Sequence, residues 1–292
     1  MARRNNSERT GAPHPDAPTG PETTNQGQEV DPLSFIVPTE FVALPSRGIY
    51  YKEGHPLHNE ESVEIKYMTA KEEDLLSSKS LLEKGIVLDR LIQSLLVDKR
   101  IQSRDLLICD RNAILIAARA SGYGEDYNTR ITCAACGEND VYPYDLNSAV
   151  VKEPLTSDQL AEENIEYIGH DMFRVKVPNS PVDVIFRLFT GHDEQTLMAS
   201  TGKNKKNKLS DKLVTNQLKL MIMSVMGHKD PETINKYVDS LPLRDSRFLR
   251  KAHEKVSPSV ELRKEVVCSS CEHTDDITFP FTAQFFWPDV RL

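Results

Sequence analysis

The chain has 292 residues, 39% hydrophobic and 27% charged, with 44 acidic against 36 basic side chains and a formal net charge of −8. That length carries one large domain or two ordinary ones. The acidic balance argues against non-specific nucleic-acid binding, which relies on neutralising phosphates, and no apolar run approaches the roughly 20 residues that span a bilayer.

Residues 1–32 are rich in Pro, Gly, Asn, Thr and Ser and poor in large apolar side chains. Such a segment cannot bury enough surface to offset its ordering entropy, so a disordered N-terminal tail is expected. The polar N-terminus shows no signal peptide, which points to a reducing compartment.

Residues 33–128 read as an α+β region. Residues 41–51 are extended around a Pro45-Ser46-Arg47-Gly48 turn, and residues 63–67 alternate like a half-buried strand. His55 and His58 fall in the loop between them, where solvated histidines are commoner than metal ligands. Thr69-Ala70-Lys71-Glu72 predicts a capping box with Thr69 as N-cap. Val87, Leu88, Leu91, Ile92, Leu95 and Leu96 recur at helical spacing. Asp110 is expected to cap a helix over residues 111–120, with Gly122 at its C′ position. Cys109, the odd cysteine, reads as a buried small hydrophobe.

Four of the five cysteines form two pairs, Cys133-Ala134-Ala135-Cys136 and Cys268-Ser269-Ser270-Cys271. Two thiolates spaced this way on a tight turn hold half of a soft metal ion's shell, and two such turns complete a tetrahedral four-cysteine site. Each pair is flanked as strand, knuckle, polar turn, strand, and Gly137 can take the positive φ that a knuckle needs. The expected ligands of a structural zinc ion (Zn2+) are therefore Cys133, Cys136, Cys268 and Cys271. A redox dithiol would start a helix after a strand, whereas here more strand follows, and a reducing compartment disfavours two disulfides. Four thiolates leave no open position for catalytic water. His273 could replace a ligand, but reads better as a surface residue of the turn. The expected fold class is α+β: residues 129–150 and 258–292 form two halves of one zinc-ribbon β-module, with a largely helical insertion between them.

That insertion, residues 151–257, opens with a β-hairpin over 173–188, turning at Pro178-Asn179-Ser180-Pro181. A short helix over 192–200 and a basic tract from Lys203 to Lys208 follow, the tract reading as a solvated loop. Val214, Leu218, Met221, Ile222 and Val225 share one face of an expected helix over 211–226. Asp230 and Pro231 fit the N-cap and N1 of the next helix, and another is expected over 243–256. No phosphate loop, dinucleotide fingerprint, metalloprotease helix or nucleophile elbow is present, so no enzyme is expected.

The runs Phe41-Val42-Ala43-Leu44-Pro45-Ser46-Arg47-Gly48, Met68-Thr69-Ala70-Lys71-Glu72-Glu73-Asp74-Leu75-Leu76, Asp110-Arg111-Asn112-Ala113-Ile114-Leu115-Ile116-Ala117-Ala118-Arg119, Gly122-Tyr123-Gly124-Glu125-Asp126-Tyr127 and Cys133 to Gly137 together resemble the baseplate protein family of T-even-type contractile-tailed bacteriophages. The resemblance runs from about Phe35 to the C-terminus, including the late knuckle, and is weakest in the insertion. It implies a non-enzymatic structural or assembly component of the baseplate hub, contacting other baseplate proteins in the virion tail and assembled in the host cytoplasm. The alternative is a nucleic-acid-binding zinc-ribbon accessory factor, motivated by the Lys203 to Lys208 tract and weakened by the net charge. The aromatic end, Phe285-Phe286-Trp287-Pro288-Asp289, fits either a docking segment or a strip packed on the ribbon.

Overall fold

Strand β1 (Thr39–Ala43) pairs antiparallel with β2 (Ser62–Lys66), Val42 standing opposite Val63. Alternation puts Val42, Val63 and Ile65 in the core. The Pro45 to Gly48 turn after β1 carries two left-handed residues, Arg47 at φ 50° and Gly48 at φ 69°. Gly48 is required twice over, because a Cβ there would lie 2.4 Å from both the Leu57 carbonyl oxygen and the Glu60 amide nitrogen. His55 and His58 serve this loop. His55 stacks on Tyr51 at 4.5 Å and accepts the Leu57 amide, and His58 Nδ1 lies 2.7 Å from the Tyr51 carbonyl.

The computed structural model describes residues 37–180, 182–206, 212–279 and 285–286. The tail over 1–32, Pro181, residues 207–211 and residues 287–289 of the aromatic end lie outside them. Residues 38–292 group as one compact unit.

Helix α1 (Ala70–Leu76) starts on the expected capping box, with both reciprocal bonds of Thr69 and Glu72 present. Helices α2 (Lys79–Glu83) and α3 (Val87–Leu95) follow, α3 burying Val87, Leu91, Ile92 and Leu95. Helix α4 (Ile108–Tyr123) is the central helix, burying Ile114, Leu115, Ile116 and two arginines, Arg111 and Arg119. Its first turn corrects the sequence reading. Asp110 does not cap the helix; Leu107 holds that position and Asp110 lies inside the first turn, fully buried. It accepts the Ser46 amide at 3.0 Å, the Ser46 hydroxyl at 2.6 Å and the Tyr51 hydroxyl at 2.7 Å. Burial pushes its carboxyl above the usual range, against those donors. The polar residue does mark the helix start, but its partners come from the β1–β2 loop instead of the helix's own amides. The other end shifts too. Gly124 at φ 90° is the C-cap, and Gly122 lies within the last turn, where a Cβ would come within 2.2 Å of Met68 Cε. Cys109 is buried as expected, and its thiol is pushed well up by that burial.

Hairpin β3 (Asp126–Thr132) and β4 (Asn139–Asp145) leads to β5 (Val150–Lys152), which pairs with β10 (Ser259–Glu261). That ladder returns the chain beside its own exit point. Between them lie helix α5 (Ser157–Glu162) and an antiparallel four-stranded sheet in the order β6 (Ile165–Gly169), β7 (Met172–Lys176), β8 (Asp183–Arg187), β9 (Ile222–Val225). The β7–β8 pair is the expected hairpin, Lys176 opposite Asp183.

Strand β9 replaces the second half of the helix expected over 211–226. Helix α7 covers only Leu213–Met221, and Ile222 is extended at φ −79°, ψ 123°. Leu218, Met221, Ile222 and Val225 are buried, but Val214 is 43% exposed. The edge of β8 offers unpaired backbone groups, and the β-branched Ile222 and Val225 suit a strand. Helix α6 (Gly191–Lys206) runs beyond the expected short helix and takes in the first four residues of the basic tract. Helix α8 (Pro231–Ser240) starts on Asp230, which accepts the Thr233 amide, with Pro231 at N1. Helix α9 (Leu243–Val256) has the expected bounds and leads through β10 to hairpin β11 (Arg263–Val267) and β12 (Thr274–Thr278).

On α9, His253 packs against Phe189 at 4.6 Å and Phe186 at 6.0 Å. Burial first, and Arg187 next, lower its pKa to about 4. The folded state therefore binds fewer protons than the unfolded chain between about pH 6.5 and 4. Stability from the neutral imidazole is complete above about pH 6.5 and is lost as pH falls toward 4, by about 3 kcal/mol in all. Urea unfolding across that range is expected to show a slope that His253→Phe flattens. An unchanged slope in the variant contradicts the assignment.

Candidate metal centre

Both cysteine pairs sit at the turns of two-stranded hairpins, and the two turns share one hydrogen-bond pattern. In the β3–β4 turn the Cys133 amide donates to the Glu138 carbonyl at 2.8 Å, and the Gly137 amide donates to the Cys133 carbonyl at 3.0 Å. In the β11–β12 turn the Cys268 amide donates to the His273 carbonyl at 2.9 Å, and the Glu272 amide donates to the Cys268 carbonyl at 3.0 Å. Gly137 and Glu272 occupy equivalent left-handed positions, at φ 75° and φ 57°. Glu272 does so as a non-glycine residue, against the usual steric preference.

The hairpins are cross-linked by polar contacts. Ser269 Oγ donates to Asp140 Oδ2 at 2.7 Å, and Lys264 Nζ donates to the Pro143 carbonyl at 2.9 Å. Neither contact was foreseen from the sequence, because serine and lysine at strand ends carry no pairing signal. At the hairpin bases, Tyr144 meets Phe279 at 4.8 Å and Tyr127 meets Phe285 edge-on at 5.1 Å. Arg119 Nε donates to the Phe285 carbonyl at 2.9 Å, fixing the chain end to α4. Phe285 and Phe286 are buried, which favours packing over docking for that part of the aromatic end.

Together the turns bring four sulfurs within 4.8 Å of one another. Cys133 Sγ lies 3.8 Å from Cys271 Sγ, and Cys136 Sγ lies 3.7 Å from Cys268 Sγ. Four thiolates about 2.3 Å from a common tetrahedral centre are about 3.8 Å apart, whereas a disulfide brings sulfurs to about 2.0 Å. The spacing thus fits a shared cation, and all four cysteines are free. Cys268 is buried, Cys133 intermediate, and Cys136 and Cys271 exposed. The His273 ring is not part of the sulfur cluster.

Electrostatics agree with the spacing. The backbone amides of Cys136 and Ala135 draw the Cys133 thiol down to about 6. The His273 amide acts likewise on Cys271, but the neighbouring sulfurs, Cys136 foremost, outweigh it and push that thiol up to about 12. One thiolate forms readily and opposes the others, as like charges at this range do. A cation among them removes the conflict.

No described helix is long and apolar enough to cross a membrane. No curated protein and no solved structure matches the chain. A family model does match, over less than half of the chain, in a stretch that contains the first cysteine pair and not the second. Over residues 49–168 the chain is similar to the T4 bacteriophage base plate protein family.

Proposed function

We propose that this protein is a non-enzymatic structural or assembly component of a phage tail baseplate, in its hub, acting through contacts with other baseplate proteins. The match over residues 49–168 carries the reading. The matched stretch contains the β1–β2 loop from Ile49 onward, its Tyr51–Asp110 bond to α4, and the first knuckle. The knuckle geometry supports a structural zinc ion held by Cys133, Cys136, Cys268 and Cys271. Such an ion would supply cohesion only, because four protein ligands leave no place for substrate. In this reading residues 129–150 and 258–292 are the two halves of a zinc ribbon, and residues 151–257 are its insertion.

Quantitative mass spectrometry of purified virions and of baseplate intermediates from infected cells tests the proposal. A fixed copy number in virions is expected of a hub subunit, and presence in intermediates alone of an assembly factor. Absence from both overturns the reading.

A further inference from the structure

Helix α9 presents a second surface that shares no residue with the cysteine cluster. Its inner face buries Asp245, Ser246, Leu249, Ala252 and Val256. Its outer face carries Arg244, Arg247 and Lys251, spaced i, i+3, i+7 and so aligned on one side. All three are exposed, and none has an ion-pair partner among the described residues. With Leu243, Phe248 and Pro178 they line an open groove of about 620 Å³.

Leu243 is 72% exposed, among the described residues the second most exposed large hydrophobic side chain after Phe41 at 73%. Phe248 is only half-buried against the core. Asn179, in the loop between β7 and β8, is tied to α9 by its amide donating to Asp245 Oδ1 at 3.0 Å. In a chain of net charge −8, these three aligned cations, without ion-pair partners among the described residues, concentrate positive charge on one helix face.

We propose that this groove docks an acidic, apolar-anchored peptide segment of a partner protein. Carboxylates would pair with Arg244, Arg247 and Lys251, the arginines offering planar, paired donors. An apolar side chain of the segment would cover Leu243 and Phe248. Charge complementarity selects this partner: three cations on two helical turns match a short acidic run. Nucleic acid fits less well, because its binding draws on many phosphate contacts and on stacking, and the apolar floor offers a phosphate backbone nothing. The inference stands apart from the baseplate reading and survives or fails without it.

Fluorescence anisotropy of the full-length, metal-loaded protein at low salt is the test. The probe is a short labelled peptide of Glu, Asp, Leu and Phe, with a Gln- and Asn-substituted version and a labelled single-stranded oligonucleotide as comparisons. The acidic peptide is expected to bind, and to weaken with added salt. Arg244→Glu with Lys251→Glu should weaken it about tenfold or more. Leu243→Ser should weaken it several-fold while leaving its salt dependence intact. Circular dichroism confirms that these solvent-facing variants fold. Equal binding of the neutral peptide, no effect of the charge reversals, or no binding at all overturns the proposal. Stronger binding of the oligonucleotide overturns it in favour of a nucleic-acid surface.

Discussion

Replacing Cys133 or Cys268 with Ser is expected to abolish the proposed zinc binding and melt both hairpins. Purified protein should carry about one zinc per chain by plasma mass spectrometry. Either variant should carry little, and its thermal midpoint should fall by about 10 °C or more, because metal that binds only the folded state is folding free energy. The structural reason is the thinness of the module. Among the described residues β11 and β12 pair only with each other, and of the residues in β11 only Val266 is buried. Such a hairpin is marginal in water without further support. A strong chelator should act as the mutations do, and zinc should restore the chelated wild type but not the variants. A metal-free protein that keeps its full thermal midpoint would refute the zinc assignment.

The second large effect is expected at Arg111, which is 2% exposed. Its guanidinium lies 2.6 Å from Asp89 on α3 and 3.3 Å from Glu194 on α6, and donates to the Ser103 carbonyl at 2.7 Å. One side chain thus ties two helices and a loop to α4. Gly191 is part of the arrangement, because a Cβ there would sit 2.5 Å from the guanidinium. Arg111→Met leaves Asp89 buried without its cation and is expected to cost about 3–5 kcal/mol. Adding Asp89→Leu should recover much of that loss, since an apolar pair of similar volume replaces a buried ion pair at little cost. Urea unfolding of the single and double variants decides it. A single variant within about 1 kcal/mol of wild type would mean that solvent reaches the pair more freely than its burial implies.

Features written in local rules were legible in the sequence. The Thr69 capping box, the Asp230-Pro231 start of α8 and the span of α9 each rest on residues within a turn of one another. The mixed helix and strand class followed from periodicity in the same way. What escaped depends on residues far apart. Asp110 has the short polar side chain of an N-cap, and its partners Ser46 and Tyr51 lie 64 and 59 residues away. Leu218, Met221, Ile222 and Val225 satisfy a helical period, yet the vacant edge of β8 draws Ile222 into a strand. Ile222 and Val225 are three residues apart, which a regular strand would place on opposite faces, and the β8–β9 pairing carries a register shift between them. At the candidate metal centre, the four cysteines that come together were readable from their spacing. The hydrogen bonds from Ser269 and Lys264 that align the two hairpins were not. The aligned cations of α9 were readable at i, i+3, i+7, but a helix face carries meaning only once its opposite side is known to be buried.

The long separation between the two halves of the cysteine cluster sets a schedule for synthesis. Cys133 and Cys271 are 138 residues apart, and Arg119 reaches 166 residues forward to the Phe285 carbonyl. Closing a loop of that size costs about 4 kcal/mol in chain entropy beyond a constant, so little can repay it until the last segment has emerged. On the ribosome, the first hairpin waits with its thiols open while the whole insertion is made. A chain cut short before Cys268 holds half a site, and Arg119 of α4 lacks its bond to the Phe285 carbonyl. Only a polypeptide translated through Phe285 can complete both closures.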